Sequence, residues 1–297
     1  MKSNLFHRML GLGLCVAGFS AAALPETALR FNGVNSYASV AHNAALNAYP
    51  LTVTAWVHCL ANSGAYQTIV SKYTNSSFDG WAMQITPSGQ LRGFYYRGGS
   101  GANKAIDNSA GSGPVIADGL WHHAALVIGT NGGQLFLDGN LLVSNTWSGV
   151  AGAITNTKPL VFSGLNDGSS PLNGDVDEAT IWTRALTVNE LNFLKHRQLR
   201  GVEDDLVSYW KFDDGLGLTA TDATANHFNA SLVNSPAWVP SGAAVDLSMI
   251  PTNCVKFSGT VGIVSITNAP DLNPYPLTAT AWFRTTNATS LQVITAK

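Results

Sequence analysis

Residues 28–57 and 254–283 align without a gap at a constant offset of 226 and are identical at 12 of 30 positions. The shared positions include Phe31/Phe257, Gly33/Gly259, Leu46/Leu272, Trp56/Trp282 and the run Tyr49-Pro50-Leu51-Thr52 against Tyr275-Pro276-Leu277-Thr278. One residue is then skipped, after which Gln67, Ile69 and Lys72 face Gln292, Ile294 and Lys297. Solenoid and propeller units repeat every ~20–50 residues, so this offset makes each copy a whole domain. Residues 24–200 are expected to form the first domain. Residues 203–297 are expected to begin a second copy that is truncated at Lys297, with further domains beyond it. In the competing assignment, residues 206–240 close the first domain instead.

The first 23 residues read as an export signal. Lys2 and Arg8 precede the apolar stretch 9–19, and Ala21-Ala22-Ala23 offers a small-residue cleavage site. The protein is therefore expected to be secreted. No other stretch approaches the ~20 apolar residues of a membrane-spanning helix. Losing Lys2 and Arg8 takes the net charge from −2 to −4. A mildly acidic chain without a Lys/Arg cluster excludes nucleic acid as the expected partner. Past the signal, Cys59 and Cys254 fall at non-corresponding positions of the two copies, which argues against a disulfide framework.

Short apolar runs at 37–40, 51–58, 67–73, 80–85, 90–96, 122–128, 134–137 and 141–145 alternate with Gly, Asn, Asp and Pro. This is the pattern of an all-β, antiparallel two-sheet sandwich. Asp138-Gly139 between two of the runs signals a tight hairpin. Only 187–197 reads as a helix, with Thr187 as N-cap and Glu190 three residues later.

Four motifs stand in order along residues 28–197. They are Leu29-Arg30-Phe31-Asn32-Gly33 with Tyr37, Asp118-Gly119-Leu120-Trp121-His122-His123, the hairpin 135–142, and Gly174-Asp175-Val176-Asp177-Glu178 with Trp182-Thr183-Arg184-Ala185-Leu186. Together they resemble the laminin-G-like family of concanavalin A-like jelly rolls. Leu206 to Gly215 resembles the strand that opens many such domains.

The resemblance implies a structural calcium ion on Asp177, with Asn32 and Gly33 of the opening turn as further donors. Asn32 stands where the family prefers Asp, which removes one anionic oxygen from a cation that takes six to eight of them. Strand parity puts Asp175 and Asp177 on one face and Glu178 on the other. It also separates His122 from His123, which excludes a shared metal and makes both structural. The resemblance likewise admits glycoside hydrolysis, which needs two carboxylates flanking the scissile bond. Asn173 occupies the leading position of that arrangement, so no enzyme is expected.

Sugar sites combine exposed aromatic faces with Asp, Asn and Gln. Trp147, Tyr95 and Tyr96, with Asn166 and Asp167 in a rim loop, are the candidate ligand residues, and Trp81 is a weaker one. Trp56, Trp121 and Trp182 are assigned to the core. The expected function is a non-catalytic extracellular recognition or adhesion module for glycan or protein. The alternatives are an accessory domain of a secreted glycoside hydrolase and a ligand-free spacer.

Overall fold

A computed structural model describes residues 26–99 and 101–245. The strands run in chain order as β1 (Thr27–Asn32), β2 (Tyr37–Val40), β3 (Leu51–Cys59), β4 (Gln67–Thr74), β5 (Asp79–Ile85) and β6 (Gln90–Arg97). There follow β7 (Lys104–Asp107), β8 (Ser112–Val115), β9 (Trp121–Gly129), β10 (Gly132–Leu137), β11 (Asn140–Thr146), β12 (Leu160–Phe162) and β13 (Asn173–Trp182). After the helix α1 (Val188–Leu194) come β14 (Leu206–Trp210), β15 (Thr219–Ala220), β16 (Ala230–Val233) and β17 (Ala237–Pro240). Two antiparallel sheets result. The first has the order β11-β10-β9-β3-β13-β1-β17, with β14 also on β13. The second has the order β15-β16-β2-β12-β4-β5-β6-β7, with β8 also on β6.

Alternation along β9 shows how the layers are built. Ala124, Leu126 and Ile128 enter the core between the sheets, with Phe31, Trp81, Tyr95, Phe162 and Trp210. Ala125 and Val127 face outward, yet they are buried under Leu186, Leu191 and Leu199 from α1 and its flanks. A strand covered on both faces loses its polar positions, which is why this one reads as a continuous apolar run. Fully burying one such large apolar side chain contributes ~1.5–3 kcal/mol.

Local signals act as their chemistry requires. Asp138 and Gly139 both take positive φ (51° and 82°) in the β10–β11 hairpin, the geometry a two-residue turn of this kind needs. Thr187 and Glu190 form a reciprocal capping box at the start of α1. The helix ends at Leu194, one turn before the expected Arg197. Cys59 is a buried free thiol.

The expected boundary near residue 203 is corrected by the strand pairing. β14 pairs with β13, β16 with β2 and β17 with β1, so residues 206–240 complete the sandwich begun at Thr27. The edges of Trp210 and Phe212 meet Phe162 at 5.2 Å each. The expected export signal and the copy beginning at Cys254 lie outside the described residues.

Candidate functional site

The expected calcium ligands do not converge. Asn32 pairs with Asn173, whereas Asp177 lies four residues further along β13, about 13 Å away at strand spacing. Asn32 Oδ1 instead accepts from the backbone N–H groups of Val34 (2.9 Å), Asn35 (3.0 Å) and Ser36 (3.1 Å), closing the turn. Gly33 takes φ +69° in that turn, and a Cβ there would come within 2.7 Å of Asn173 Cβ. Asp177 Oδ2 accepts from Ser241 Oγ at 2.5 Å, and its Oδ1 from the Glu178 N–H. Among the described residues no group of three or more His, Cys, Asp or Glu is arranged to hold a metal ion. Melting midpoints in calcium and in chelator test the ion that the resemblance implies: coinciding midpoints would count against it, and a midpoint several degrees higher in calcium would count for it.

Glu178 departs from the parity expected of it. Residues 177 and 180 face Trp56 and Thr54, so β13 carries one extra residue there, and Glu178 takes φ +49°. This bulge turns Glu178 to the same outer face as Asp177. Its Oε2 bonds the Tyr209 hydroxyl, while its Oε1 is buried without a partner. Burial raises the Glu178 carboxyl to about 8, and the nearby Asp213 and Glu26 add to the effect. Burial, then the Glu178 charge, push Asp177 well above the usual carboxylate range.

The aromatic candidates divide between the faces. Tyr95 is fully buried in the core, with its hydroxyl donating to the Gly152 carbonyl. Trp147 packs edge-on against Tyr95 and Tyr49 and donates its indole N–H to Gly129 O. Trp81 is likewise fully buried. Tyr96 lies on the outer face of the second sheet but is sealed among Tyr73, Phe94 and Leu165, with its hydroxyl on Asp107. At the same end of that sheet, Asn166 Nδ2 donates to the Tyr73 and Pro159 carbonyls. Asp167 accepts from Ser169 and Asn75, bonds that hold its carboxyl below the ordinary value. The fold thus gathers Tyr96, Asn166 and Asp167 at one rim, sends Tyr95 into the core, leaves Trp147 half-buried against the core's edge, and engages all five in internal contacts.

An open groove of about 510 Å³ lies on the outer face of the first sheet, within the ~300–1,000 Å³ typical of small-ligand sites. Trp121 and Trp56 line it, with Leu120, Asp138, Lys195 and His196 around them. Trp56 is buried and donates its indole N–H to Lys195 O at 2.9 Å. Trp121 is half-buried, and its ring stacks on His58 with centroids 5.4 Å apart. Assigning Trp121 to the core is thereby corrected. It shares the outward parity of His123, Ala125 and Val127 but lies beyond the part of β9 that α1 covers, and stays half-buried with His58 on its ring and Gly242 against its indole N–H edge, where a Cβ would come within 2.8 Å of Nε1. The parity was readable in the chain; the point where the cover stops was not.

The two adjacent histidines go to different places, as parity required. His122 lies at the strand end between Asp118 and Asp138. His123 packs edge-on against Trp56, and burial lowers its imidazole to about 3.

The family described as the concanavalin A-like lectin/glucanases superfamily, in its laminin-G branch, matches residues 32–192, more than half of the chain. The chain belongs to this laminin-G-type family. Among solved structures, a candidate carbohydrate binding protein from Bacteroides ovatus ATCC 8483 is similar at a TM-score of 0.56 and 17% identity, over 75% of this chain. The chain spans 62% of that protein's length. A heptameric SAP-like pentraxin from Limulus polyphemus matches at TM-score 0.42 and 15% identity, over 58% of this chain and 82% of its own. Domains LG4-5 of the mouse laminin alpha1 chain match at 0.41 and 16%, over 62% of this chain and 48% of theirs. At these identities the likeness concerns the fold. No curated protein matches the sequence.

Within this laminin-G-type sandwich, each carboxylate of the closing motif is bonded to neighbouring protein groups. Asp175 is gripped by Arg30 (Nε–Oδ1 2.6 Å, Nη2–Oδ2 2.8 Å) and by His58 Nδ1 (2.8 Å). Asp177 is tied to Ser241, and Glu178 is bonded to Tyr209. All three are buried, and neither Asp175 nor Asp177 lines the groove over Trp121.

Proposed function

We propose that the chain is a non-catalytic extracellular recognition module that binds glycan in the groove over Trp121. The half-buried indole of Trp121 on the floor of an open groove carries this reading. An indole face takes the apolar face of a pyranose ring, and Asp138, Lys195 and His196 line the same groove beside it. Burial of Asp175, Asp177 and Glu178 supports the non-catalytic part, because hydrolysis needs two carboxylates that reach a bound substrate. The similarity to a candidate carbohydrate binding protein from Bacteroides ovatus supports the ligand class.

A glycan array probed with the full chain tests the proposal. Trp121→Ala is expected to weaken the strongest hit by about 2 kcal/mol, roughly thirtyfold in Kd, as a central aromatic contact does. Phe78→Ala, an exposed residue beside Tyr96 on the other sheet, should leave it unchanged. An array without hits would favour the spacer role, and a hit insensitive to Trp121→Ala would move the site elsewhere.

A further inference from the structure

Two histidines hold the segment that carries Trp121. His58 Nδ1 lies 2.8 Å from Asp175 Oδ2, and its Nε2 lies 3.0 Å from the Gly119 carbonyl oxygen. His122 Nδ1 lies 2.9 Å from Asp138 Oδ2, and its Nε2 lies 3.3 Å from Asp118 Oδ1. Each of these partners is a carboxylate or a carbonyl, which accepts hydrogen bonds and does not donate. A neutral imidazole has one N–H and one lone pair, whereas an imidazolium has two N–H groups. In the neutral form each ring would therefore set a nitrogen lone pair against an oxygen lone pair. Only the charged form satisfies both ends of each contact.

We propose that segment 118–121 is held by a double clamp of His58 and His122, so that the groove over Trp121 keeps its shape while His122 is charged and loosens when His122 loses its proton. The consequence for ligand binding rests on the reading of that groove as the glycan site. The clamp itself is a property of the protein without ligand.

The charged groups around each ring favour this arrangement. His122 faces Asp118 from the preceding loop and Asp138 from the β10–β11 hairpin. Lys195, on the far side of Asp138, donates its Nζ to the Asp138 carbonyl at 2.7 Å. His123, its neighbour on β9, is driven to the neutral form by burial. The bond to Asp138 raises His122 above the ordinary 6.5, against the opposing effect of burial. His58 on β3 faces Asp175 on β13, which Arg30 on β1 also grips. For a raised histidine, the stabilisation is complete below about 6.5 and is lost as pH rises through the higher folded value.

Ring-nitrogen NMR of the 15N-labelled protein tests the clamp, with His58→Gln and His122→Gln used for assignment. The expected result is an imidazolium signature for His122 at pH 6, a His122 midpoint above 6.5, and a Trp121 indole N–H resonance that moves with the same midpoint. Asp138→Asn keeps an acceptor oxygen but removes the charge. It should lower the His122 midpoint by about one pH unit and carry the Trp121 transition with it. A neutral His122 at pH 6, or a Trp121 resonance that ignores the His122 midpoint, would overturn the proposal. No glycan enters this titration, so an array without hits leaves its outcome intact, and its failure leaves the array result intact.

Discussion

Trp210→Ala is expected to destabilise the whole sandwich by about 3–5 kcal/mol, read as a fall in the urea midpoint at unchanged slope. Trp210 is fully buried between the sheets, its edge meets Phe162, and its indole N–H donates to Phe228 O at 2.9 Å. Truncation removes the ring and strands that carbonyl, so cavity and polar costs act together. A domain of this kind is stable by ~5–15 kcal/mol, so the loss is a large share of the total. The variant also tests where the domain ends. Because β14 sits on β13 beside β1, the transition followed through Trp56 and Trp81 must move with that of the C-terminal strands. A main transition that stays in place while a smaller one shifts would mean that 206–240 folds apart.

Glu178→Gln is expected to flatten the pH dependence of stability between about 4.5 and 8. The carboxyl rises from its ordinary 4.5 to about 8, chiefly through burial, and in part through Asp213 and Glu26. The folded state therefore holds a proton that the unfolded chain releases across this window. For such a group the contribution is complete below the unfolded value and is lost as pH rises through the folded one. The wild-type protein should thus weaken steadily from pH 5 to pH 8, by a few kcal/mol at most. Glutamine keeps a polar partner for Tyr209 without the charge, so the variant should match the wild type near pH 5 and exceed it near pH 8. Urea midpoints at the two pH values decide the matter. Parallel loss in both proteins would assign the dependence to other raised groups, Asp177 in the same bulge or His122.

The sandwich was largely legible in the chain because alternating apolar residues and Gly, Asn and Asp turns report strands directly. β3, β5 and β9 start within one residue of where the pattern puts them. Strand identity does not name a partner, however. Leu206 to Trp210 reads as an opening strand, and only its ladder with Ala179 to Trp182 shows that it finishes the same domain. Parity put Asp175 and Asp177 on one face, as found, but the extra residue in β13 after Asp177 broke the count at Glu178. The burial of Tyr95 and Tyr96 was illegible for a related reason. Tyr96 does face outward, yet a loop bearing Leu165 covers it, whereas Trp121, at the start of β9, lies past the outward residues that α1 covers and stays half-buried. Exposure depends on what packs above a residue, and that is set by tertiary contacts rather than by the residue's neighbours in sequence.

The groove over Trp121 can be tested at the atom on which the reading rests. Titrating the best glycan from the array into 15N-labelled protein at pH 6 should shift the Trp121 indole N–H resonance saturably, with a Kd matching that of the array hit. The Trp81 indole, buried between the sheets, should stay in place. Saturable binding that leaves the Trp121 resonance unmoved would contradict the account.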